Sequence, residues 1–359
     1  MLVRLFRHPT PPLIGLDIST TSVKLLELSQ RTGRYQVDRY ATALIQRSSQ
    51  GDSDAVVQVE AVADAVAKAV QRSRTQLKHA AVAVSGSGAI TRTIPMPRKF
   101  SDRDIENQIM LDAEQHIPYS LNEVYLDFQV MGPNPKNPAT VDVLLAASRS
   151  ETVQDRVAAV EAAGLSANVV DIEPYALGAC VEMLRPSLGL DEDTTIAVVN
   201  IGHLHTTLDI FHGRRTLFMR EQLFGGHQLI AQIQQTYGMD YDDVTRAQRD
   251  NTLPEDYPQR VLRPFSEAVV HQASRLLQVY HSTPEARTID HLLLAGGTSR
   301  LEGLDRSMQA HLGIPVTRAD PVQAMGCDAR VNRQQLQHDS ASLLVACGLA
   351  LRSFDHASR

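Results

Sequence analysis

The chain has 359 residues, which predicts two domains or one large α/β unit with insertions, because an ordinary single core is smaller. Hydrophobic residues make up 43% and charged residues 21%, a globular composition that argues against a fibrous or disordered chain. The net charge of -6 argues against nonspecific binding of nucleic acid. Cys180, Cys327 and Cys347 are far apart and form no CxxC pair, so we expect a reduced, cytoplasmic compartment without disulfides or a zinc site.

The first part of the chain predicts a β-meander followed by a helix and a strand. Residues 1–12 are interpreted as an N-terminal tail that lacks the apolar segment of a secretory signal. Alternating apolar residues and turn signals predict strands at 13–18, 23–28, 35–45 and 80–84. Val62, Val66 and Val70 recur at helical spacing between the last two strands. No apolar run approaches the roughly 20 residues of a membrane-spanning helix.

A small α/β module is predicted to interrupt this first half. It contains a short strand near Ile90 and a helix that begins after Ser101 and stops at Pro118. Asp104 follows Ser101 by three residues, the spacing of a reciprocal helix cap. Two further strands are predicted at 126–130 and 141–147, with an exposed Pro-rich loop at 132–138 between them. Two helices, near 153–160 and 174–184, complete the first half.

The second half predicts a second β-meander with helices after it. Its strands are predicted at 196–201, 207–211 and 217–224. Gly225-Gly226 lead into a helix that Gly238 closes, and a longer helix is predicted from about Glu255 to Tyr280. A buried strand at 292–295 precedes Gly296, and an Ala-rich helix through 342–351 closes the chain.

Two segments half a chain apart share one pattern. Residues 14–23 and 197–206 each read as an apolar strand that ends at Asp17 or Asn200, then Ile, a small residue and a polar turn into a second strand. This internal repeat predicts two similar domains that face each other across a cleft. The two matching turns are then placed to hold one ligand between them.

The first of these turns has the chemistry of an anion site. Ser19, Thr20, Thr21 and Ser22 offer hydroxyls and closely spaced backbone N–H groups, which favour a phosphate. Asp17 repels phosphate, so we expect it to hold a hydrated Mg²⁺ ion through water. Taken alone, the segment is better explained as a polar hairpin turn that faces water. Lys24 fits a phosphate ligand and a solvated strand lysine equally well.

The third element of the predicted site is Gly296-Gly297-Thr298, between a buried strand and a helix. Backbone without a Cβ allows a nucleotide to approach closely, and a helix amino terminus favours its phosphates. A Gly-Gly turn by itself is more often a tight connection. The combination of this turn with two repeated hairpin turns predicts a nucleotide site.

Two phosphate turns followed by a late Gly-Gly-Thr turn occur in this order in the actin, Hsp70 and sugar-kinase superfamily. Across residues 13–354 the chain more closely resembles the PilM family, the cytoplasmic actin-like proteins of type IV pilus assembly, which are similar to the cell-division protein FtsA. The resemblance is carried by GLDISTTSVKLLEL (15–28), QHIPY (115–119), VDVLLAA (141–147), REQLFGG (220–226), LAGGT (294–298) and ACGLALRS (346–353).

The resemblance implies an α/β, actin-like two-domain ATPase fold of the actin/Hsp70/FtsA superfamily, with an inserted subdomain of the 1C type found in FtsA. The implied boundaries are subdomain 1A at 13–80, 166–193 and 340–355, inserted subdomain 1C at 81–165, subdomain 2A at 194–225 and 288–339, and subdomain 2B at 226–287.

The implied ligands are ATP or ADP with Mg²⁺. The nucleotide-binding candidates come from the turns and the Gly-Gly motifs: Asp17, Ser19, Thr20, Thr21, Ser22, Lys24, Asn200, Gly202, His203, Gly225, Gly226, Gly296, Gly297 and Thr298. Asn200 stands where the family generally has Asp, and Gln248 where relatives often carry a basic residue near the adenosine. Asn lacks the charge that orients metal-bound water, so we expect nucleotide binding with little or no hydrolysis and assign no catalytic residue.

The resemblance also implies partners. The family's partner is PilN, an inner-membrane protein whose short cytoplasmic amino-terminal segment docks in a groove between subdomains 1A and 1C. The chain is then expected to be a cytoplasmic scaffold at the bacterial inner membrane. It is expected to connect indirectly to PilO, PilP and the secretin PilQ, and to components of the pilus motor.

Two other functions share this fold: a sugar or acid kinase, which needs a catalytic base near the cleft, and a filament-forming actin homologue. His203, His205 and His212 lie close in sequence but lack a carboxylate or cysteine at ligand spacing, so we favour surface or supporting roles over a metal site. Gly178 and Gly348 are expected either to let two helices cross closely between the domains or to belong to an ordinary core helix.

Overall fold

The computed structural model of the protein describes residues 11–46 and 59–355. The predicted tail therefore lies outside the described residues as far as position 10, as do residues 47–58 of predicted subdomain 1A.

The secondary structure alternates strands and helices along the chain. The strands are β1 (Ile14–Ile18), β2 (Ser22–Arg31), β3 (Arg34–Leu44), β4 (His79–Val84), β5 (Ala89–Pro97), β6 (Val124–Asn134), β7 (Asn137–Arg149), β8 (Ser166–Ile172), β9 (Thr195–Ile201), β10 (Thr206–His212), β11 (Arg215–Gln222), β12 (His291–Ala295), β13 (Val316–Arg318) and β14 (Gly326–Cys327). The helices are α1 (Val59–Ser73), α2 (Asp102–His116), α3 (Ser150–Ala162), α4 (Glu173–Leu188), α5 (Gly226–Tyr237), α6 (Tyr241–Asp250), α7 (Arg263–His281), α8 (Leu304–Leu312), α9 (Arg333–Asp339) and α10 (Leu344–Leu351).

The internal repeat is visible in the topology of two sheets. The six-stranded sheet has the order β14-β3-β2-β1-β4-β8, and the five-stranded sheet has the order β11-β10-β9-β12-β13. In both, three antiparallel strands form the meander, and its first strand then pairs in parallel with a later strand. The two halves of the chain therefore share one architecture, because the same apolar-strand and polar-turn pattern begins each half.

Helices cover both faces of the first sheet. α1 and α3 pack on one face, around Ile14, Leu16 and Val66, and α4 and α10 pack on the other. The five-stranded sheet buries one face under α5, α6, α7 and α8 and packs the other against the first half. β1 is consequently buried along its whole length, Asp17 included.

α6 was not predicted from the sequence. It is strongly polar, and only Val244 and Ala247 of its residues are buried. Its start has a local signal, since the side chain of Asp240 accepts a hydrogen bond from the N–H of Asp243 at 2.7 Å. The long helix predicted from Glu255 instead begins with a π-turn at Pro258–Leu262, and α7 follows from Arg263.

The inserted module is a three-stranded sheet, β5-β7-β6, with α2 on one face. The predicted cap is present, since Ser101 N–H donates to Asp104 Oδ2 at 2.9 Å and Asp104 N–H donates to Ser101 Oγ at 3.3 Å. The predicted loop at 132–138 is wrong in extent. β6 and β7 continue into the predicted loop and leave only a tight turn between them. Asn134 Oδ1 accepts a hydrogen bond from the N–H of Lys136 at 2.8 Å, and this bond closes the turn.

The module is also smaller than the predicted range of 81–165. That range includes β4, which is a parallel partner of β1 and β8 in the six-stranded sheet. It also includes α3, which packs on α1. Hydrogen bonding and packing therefore confine the module to β5, α2, β6 and β7, because the elements at both ends of the predicted range belong to the first core.

α4 and α10 cross at very short distance. A Cβ on Gly348 would lie 1.7 Å from the carbonyl oxygen of Ala176, and a Cβ on Gly15 would lie 2.2 Å from that of Ala346. Gly178 faces the ring of Phe211, which belongs to the second sheet. The predicted close crossing is therefore present, and α4 joins the two halves.

Candidate functional site

Polar residues lie at the carboxyl ends of parallel strands in both halves. β1, β4 and β8 run parallel; Asp17 lies near the end of β1, and Glu173 directly follows β8. In the second half, β9 and β12 run parallel and bring Asn200 opposite Ala295, next to Gly296. Carboxyl ends of parallel strands meet at one edge of a sheet, where ligands of α/β folds bind.

The first turn leaves two backbone donors open. Ser19 N–H and Oγ both donate to the carbonyl oxygen of Ser22 at 2.9 Å, and this holds the turn closed. The carbonyl oxygen of Thr21 accepts from the N–H of Ile45 at 2.9 Å. Within residues 11–46 and 59–355, nothing accepts a hydrogen bond from the N–H groups of Thr20 or Thr21. Two adjacent open donors are what an anion needs.

Asp17 and Lys24 form an ion pair beside this turn. The β1–β2 register places them opposite each other, and Lys24 Nζ donates to Asp17 Oδ2 at 2.7 Å. Both side chains are mostly buried. Of the two interpretations of Lys24, the solvated strand lysine is therefore wrong, because its ammonium is held against a carboxylate.

The second half gathers the other candidates into one contact network. Gly202 O accepts from the N–H of Gly226 at 2.9 Å and from Thr298 Oγ1 at 3.1 Å. His203 O accepts from the N–H of His227 at 2.8 Å, so the turn after β9 is fixed to the start of α5. These contacts join three segments that are far apart in sequence.

Steric requirements explain the glycines of this network. Gly296 has φ 90, and a Cβ there would lie 2.3 Å from the carbonyl oxygen of Ile201 and 2.6 Å from Asn200 Oδ1. A Cβ on Gly225 would lie 2.5 Å from the carbonyl oxygen of Gly202. Gly297 differs, because a Cβ there would meet nothing within 4 Å and would project into open space.

A cavity of about 250 Å³, here termed the cleft cavity, lies between the two halves. It contains carboxyl groups that the sequence did not single out. Its lining includes Gly86, Ser87, Glu173, Leu177, Asn200, Thr207, Asp209, Met219, Arg220, Glu221 and Val345. Burial, followed by the charge of Asp17, raises the pKa of Glu173 to about 7. Burial also raises the pKa of Asp209 to about 7, and Asp209 Oδ1 has no hydrogen-bond partner among the described residues.

The two carboxyl groups with raised pKa values differ in how far the sequence could reveal them. Glu173 had a signal that was missed: an acid followed by Pro174 at a strand-to-helix junction, the same edge position as Asp17. Asp209 had no such signal. An acid within an apolar strand looks like the normal alternation of buried and exposed side chains until the structure shows that both faces of the strand are covered. The kinase alternative needs a catalytic base near the cleft, and the half-buried carboxyl of Glu173, which lines the cleft cavity, is the group to test for that role.

A second cavity of about 420 Å³, here termed the groove, lies between the inserted module and both halves. The module contributes 89–93 and Leu144, the first half contributes Ile172, Pro174 and Tyr175, and the second half contributes 216–219. Consecutive residues of β5 and of β11 line it, so each strand presents its edge rather than one face. Both are edge strands of their sheets.

The three predicted histidines contact different residues. The ring of His203 packs edge-on against that of His227, with the ring centroids 5.7 Å apart. His205 Nε2 lies 3.5 Å from Glu221 Oε1, and His212 Nε2 lies 2.9 Å from Arg287 Nη1. Among residues 11–46 and 59–355, no cluster of three or more His, Cys, Asp or Glu side chains is arranged to hold a metal. None of the described helices combines the length and apolar character needed to cross a lipid bilayer.

The family model described as type IV pilus assembly protein PilM matches residues 15–354. The chain belongs to the PilM family. It is also similar to the structure described as a PilM-PilN type IV pilus biogenesis complex, with 26% identity, a TM-score of 0.78, and coverage of 97% of this chain and 100% of that one. A more distant similarity, to ethanolamine utilization protein EutJ from Carboxydothermus hydrogenoformans, has 16% identity, a TM-score of 0.53, and coverage of 98% and 94%. The predicted actin-like fold of the PilM family is thereby confirmed.

Proposed function

We propose that the protein is a nucleotide-binding cytoplasmic scaffold of type IV pilus assembly that docks the cytoplasmic amino-terminal peptide of a PilN-type inner-membrane protein. The observation that carries this proposal is the groove between the inserted module and both halves, in a chain that is similar over nearly its whole length to a structure described as a PilM-PilN complex. Its other proposed connections, to PilO, PilP, PilQ and the pilus motor, pass through this partner.

The groove suits a short extended peptide. β5 and β11 both turn a free edge toward it, and an added strand gains backbone hydrogen bonds at such an edge. Leu144, Ile172 and Leu217 supply apolar surface for alternate side chains of the peptide. Tyr175 also lines the groove, and its hydroxyl interacts with Thr91 of β5. Burial raises the pKa of Tyr175 by more than the interaction with Thr91 lowers it, so the hydroxyl stays protonated.

The cleft suits Mg-ATP or Mg-ADP. The open N–H groups of Thr20 and Thr21 would bind phosphate from one side, and the turn around Gly202 and the open space beside Gly297 would receive the nucleotide from the other. A phosphate would attract the Lys24 ammonium, which leaves Asp17 to hold water of the Mg²⁺ ion. Bound Mg²⁺ would supply charge neutralisation for the phosphates.

Turnover of the nucleotide is proposed to be negligible. Asn200 keeps the shape of an aspartate at the second turn but lacks the charge that would orient a metal-bound water. Glu173 is half-buried near Asp17, and its raised pKa, about 7, makes it the group to test for residual activity. Steady-state phosphate release well above a protein-free blank, abolished by Asp17→Ala, would contradict this part of the proposal.

The docking proposal is tested by fluorescence anisotropy with a labelled peptide that copies the cytoplasmic amino terminus of the PilN-type protein from the same organism. We expect a Kd in the low micromolar range or tighter, about −8 kcal/mol, with no binding of a scrambled peptide. Leu144→Arg places a charge in the groove and should abolish binding. Leu111→Arg, at a leucine that is 78% exposed on α2, is the matched control and should bind normally. Equal binding by both variants would exclude the groove.

The nucleotide proposal is tested with a fluorescent ATP analogue and Gly297→Val. The added side chain meets no protein atom at its Cβ, so the melting temperature should be unchanged while ATP affinity falls at least tenfold. Retained affinity with an unchanged melting temperature would place the nucleotide elsewhere. This measurement is paired with light scattering in the presence of ATP, which should stay at baseline for a scaffold and rise for a filament-forming homologue.

A further inference from the structure

The inserted module carries a basic surface at the end of β5. The N–H of Arg98 donates to the carbonyl oxygen of Ala139 at 2.9 Å, so the loop that follows β5 lies against the turn between β6 and β7. Residues 97–104 and 130–140 together are here termed the module end. Its exposed basic side chains are those of Arg98, Lys99, Arg103 and Lys136.

The basic side chains of the module end outnumber its acids. No ion pair within residues 11–46 and 59–355 involves any of the four. The acids are Asp102 and Asp104, and Asp104 accepts from the N–H of Ser101 at 2.9 Å and from its Oγ at 2.7 Å. Four positive and two negative charges leave a local net charge of +2 in a chain whose net charge is -6. Positive charge is therefore concentrated at this end of the module.

Exposed apolar side chains lie at the same end of the module sheet. Val130 and Met131 of β6 are 41% and 40% exposed. The strand register aligns Val130 with Val143 of β7, and Val143 with Ile94 of β5, three residues before the strand ends. Basic side chains together with exposed apolar side chains favour binding to an anionic lipid surface, because headgroup attraction and apolar burial add to each other.

The module end lies beyond the groove along β5. Residues 89–93 line the groove, and Pro97 is four residues farther along, about 13 Å at the rise of a strand. A peptide strand added to the β5 edge therefore points one of its ends toward the module end. Its other end points toward Gly86 and Ser87, at the cleft cavity with its carboxyl groups. Of these two directions, the module end has the charge that an anionic bilayer attracts.

We propose that the module end contacts the headgroups of an anionic bilayer, as a membrane contact separate from the partner peptide. The inference rests on the proposed function, because a membrane-anchored partner brings the module to the bilayer. The four basic side chains attract the phosphate headgroups, and Val130 and Met131 enter the headgroup region. Each basic side chain near an anionic surface strengthens binding about fivefold, so the contact is weak alone. It becomes effective beside a bound peptide, which raises the local concentration of the module at the membrane.

Cosedimentation of the full chain with lipid vesicles measures this contact. We expect the protein to pellet with vesicles of phosphatidylcholine and phosphatidylglycerol, not with phosphatidylcholine alone, and to be released as salt is added. Lys99→Glu combined with Lys136→Glu should lower the partition coefficient at least about tenfold. The matched control combines Lys78→Glu with Arg318→Glu, at exposed residues outside the module. It makes the same change in net charge and should alter the partition coefficient by less than about twofold.

The apolar part of the contact has its own test. Met131→Ala should weaken vesicle binding by a factor that does not depend on salt, because the burial of an apolar side chain is not screened. Leu223→Ala, at a leucine of the second half that is 73% exposed, is the control and should bind vesicles as the wild type does. A loss in Met131→Ala that salt abolishes, or an equal loss in Leu223→Ala, would contradict insertion of this side chain.

The membrane contact and the peptide contact can be separated. The variant with Lys99→Glu and Lys136→Glu should bind the free peptide with the wild-type Kd, whereas Leu144→Arg should lose the peptide and still bind anionic vesicles. Equal pelleting with neutral and anionic vesicles, no pelleting with either, or equal losses in the two double variants would overturn the membrane contact alone. Wild-type protein that binds anionic vesicles but not the peptide would overturn the proposed docking and support the module end as a lipid site.

Discussion

Asp209→Asn is expected to remove a loss of stability that the wild-type protein suffers as the pH rises from 5 to 8. Asp209 lies in β10 and is 2% exposed. One carboxylate oxygen accepts from Thr207 Oγ1 at 2.9 Å, and the other has no hydrogen-bond partner among the described residues. Burial is the main reason that the pKa of Asp209 is raised from 3.8 to about 7, and the negative charge of Glu221 adds to it.

The sign follows from proton binding. An unfolded chain releases the Asp209 proton near pH 4, whereas the folded protein holds it until about pH 7, so the folded state binds more protons between these values. The free energy of unfolding therefore falls as pH rises through this window. A pKa difference of about three units corresponds to about 4 kcal/mol in total, of which roughly 2 to 3 kcal/mol is lost between pH 5 and pH 8. The amide that replaces the carboxyl group in the variant does not titrate and avoids this loss.

Urea unfolding at pH 5 and pH 8 measures the effect. The free energy of unfolding of Asp209→Asn, relative to wild type, should rise by roughly 2 to 3 kcal/mol between the two pH values, and comparing the two pH values removes any effect of the substitution that is independent of pH. Asp64→Asn, at an exposed aspartate of α1, is the control and should follow the wild-type pH dependence. If Asp209→Asn also loses stability in parallel with wild type, Asp209 does not hold its proton in the folded state and the reasoning is refuted.

Three further substitutions test the packing and charge arguments. Gly348→Ala should destabilise the protein by about 3 kcal/mol or more in urea unfolding, since its Cβ would lie 1.7 Å from a carbonyl oxygen of α4. Lys24→Met should lower the free energy of unfolding by about 3 to 5 kcal/mol, because it leaves Asp17 buried and unpaired. The double variant Lys24→Met/Asp17→Asn should regain most of this stability. Ser101→Ala should cost about 1 kcal/mol through loss of the α2 cap.

Each of these expectations can be contradicted directly. Gly297→Ala is the control for Gly348→Ala, because its Cβ meets nothing within 4 Å, and equal losses for both would show that the helix crossing is not responsible. A Lys24→Met protein as stable as wild type would mean that the Asp17 carboxylate needs no partner. An unchanged rate of amide exchange in the first turn of α2 would argue against the cap at Ser101.

Local patterns in the sequence were sufficient for most elements of the fold. Some features depend only on residues that are neighbours in sequence, so they can be predicted from the sequence. They are the mostly apolar strands β1 and β9, the glycine that ends α5, and the Ser101 cap. The repeat of Asp17 and Asn200 predicted two matched halves for the same reason. α6 was not predicted because it is polar, and its two buried residues find their packing partners only in the folded protein.

The composition of the sites depended on how distant segments meet. Residues 200–203, 225–226 and 296–298 could be proposed as one site from the sequence, but the hydrogen bonds that join them through Gly202 form only when three distant segments come together. The role of Lys24 was left open for a similar reason, because only the strand register decides that Lys24 lies opposite Asp17. The predicted boundaries of the module were too wide, because β4 pairs with β1 and α3 packs on α1 in the core of the first half.

The repeat, the polar turns and the glycines can be read from the amino-acid order, since each is a property of a short segment. The groove and the raised pKa values of Glu173 and Asp209 exist only in the folded chain. Burial and charge proximity are properties of the whole fold: the carboxyl of Asp209 titrates at about 7 only because folding removes water from it, and Met219 meets Gly86 only when the two halves pack together.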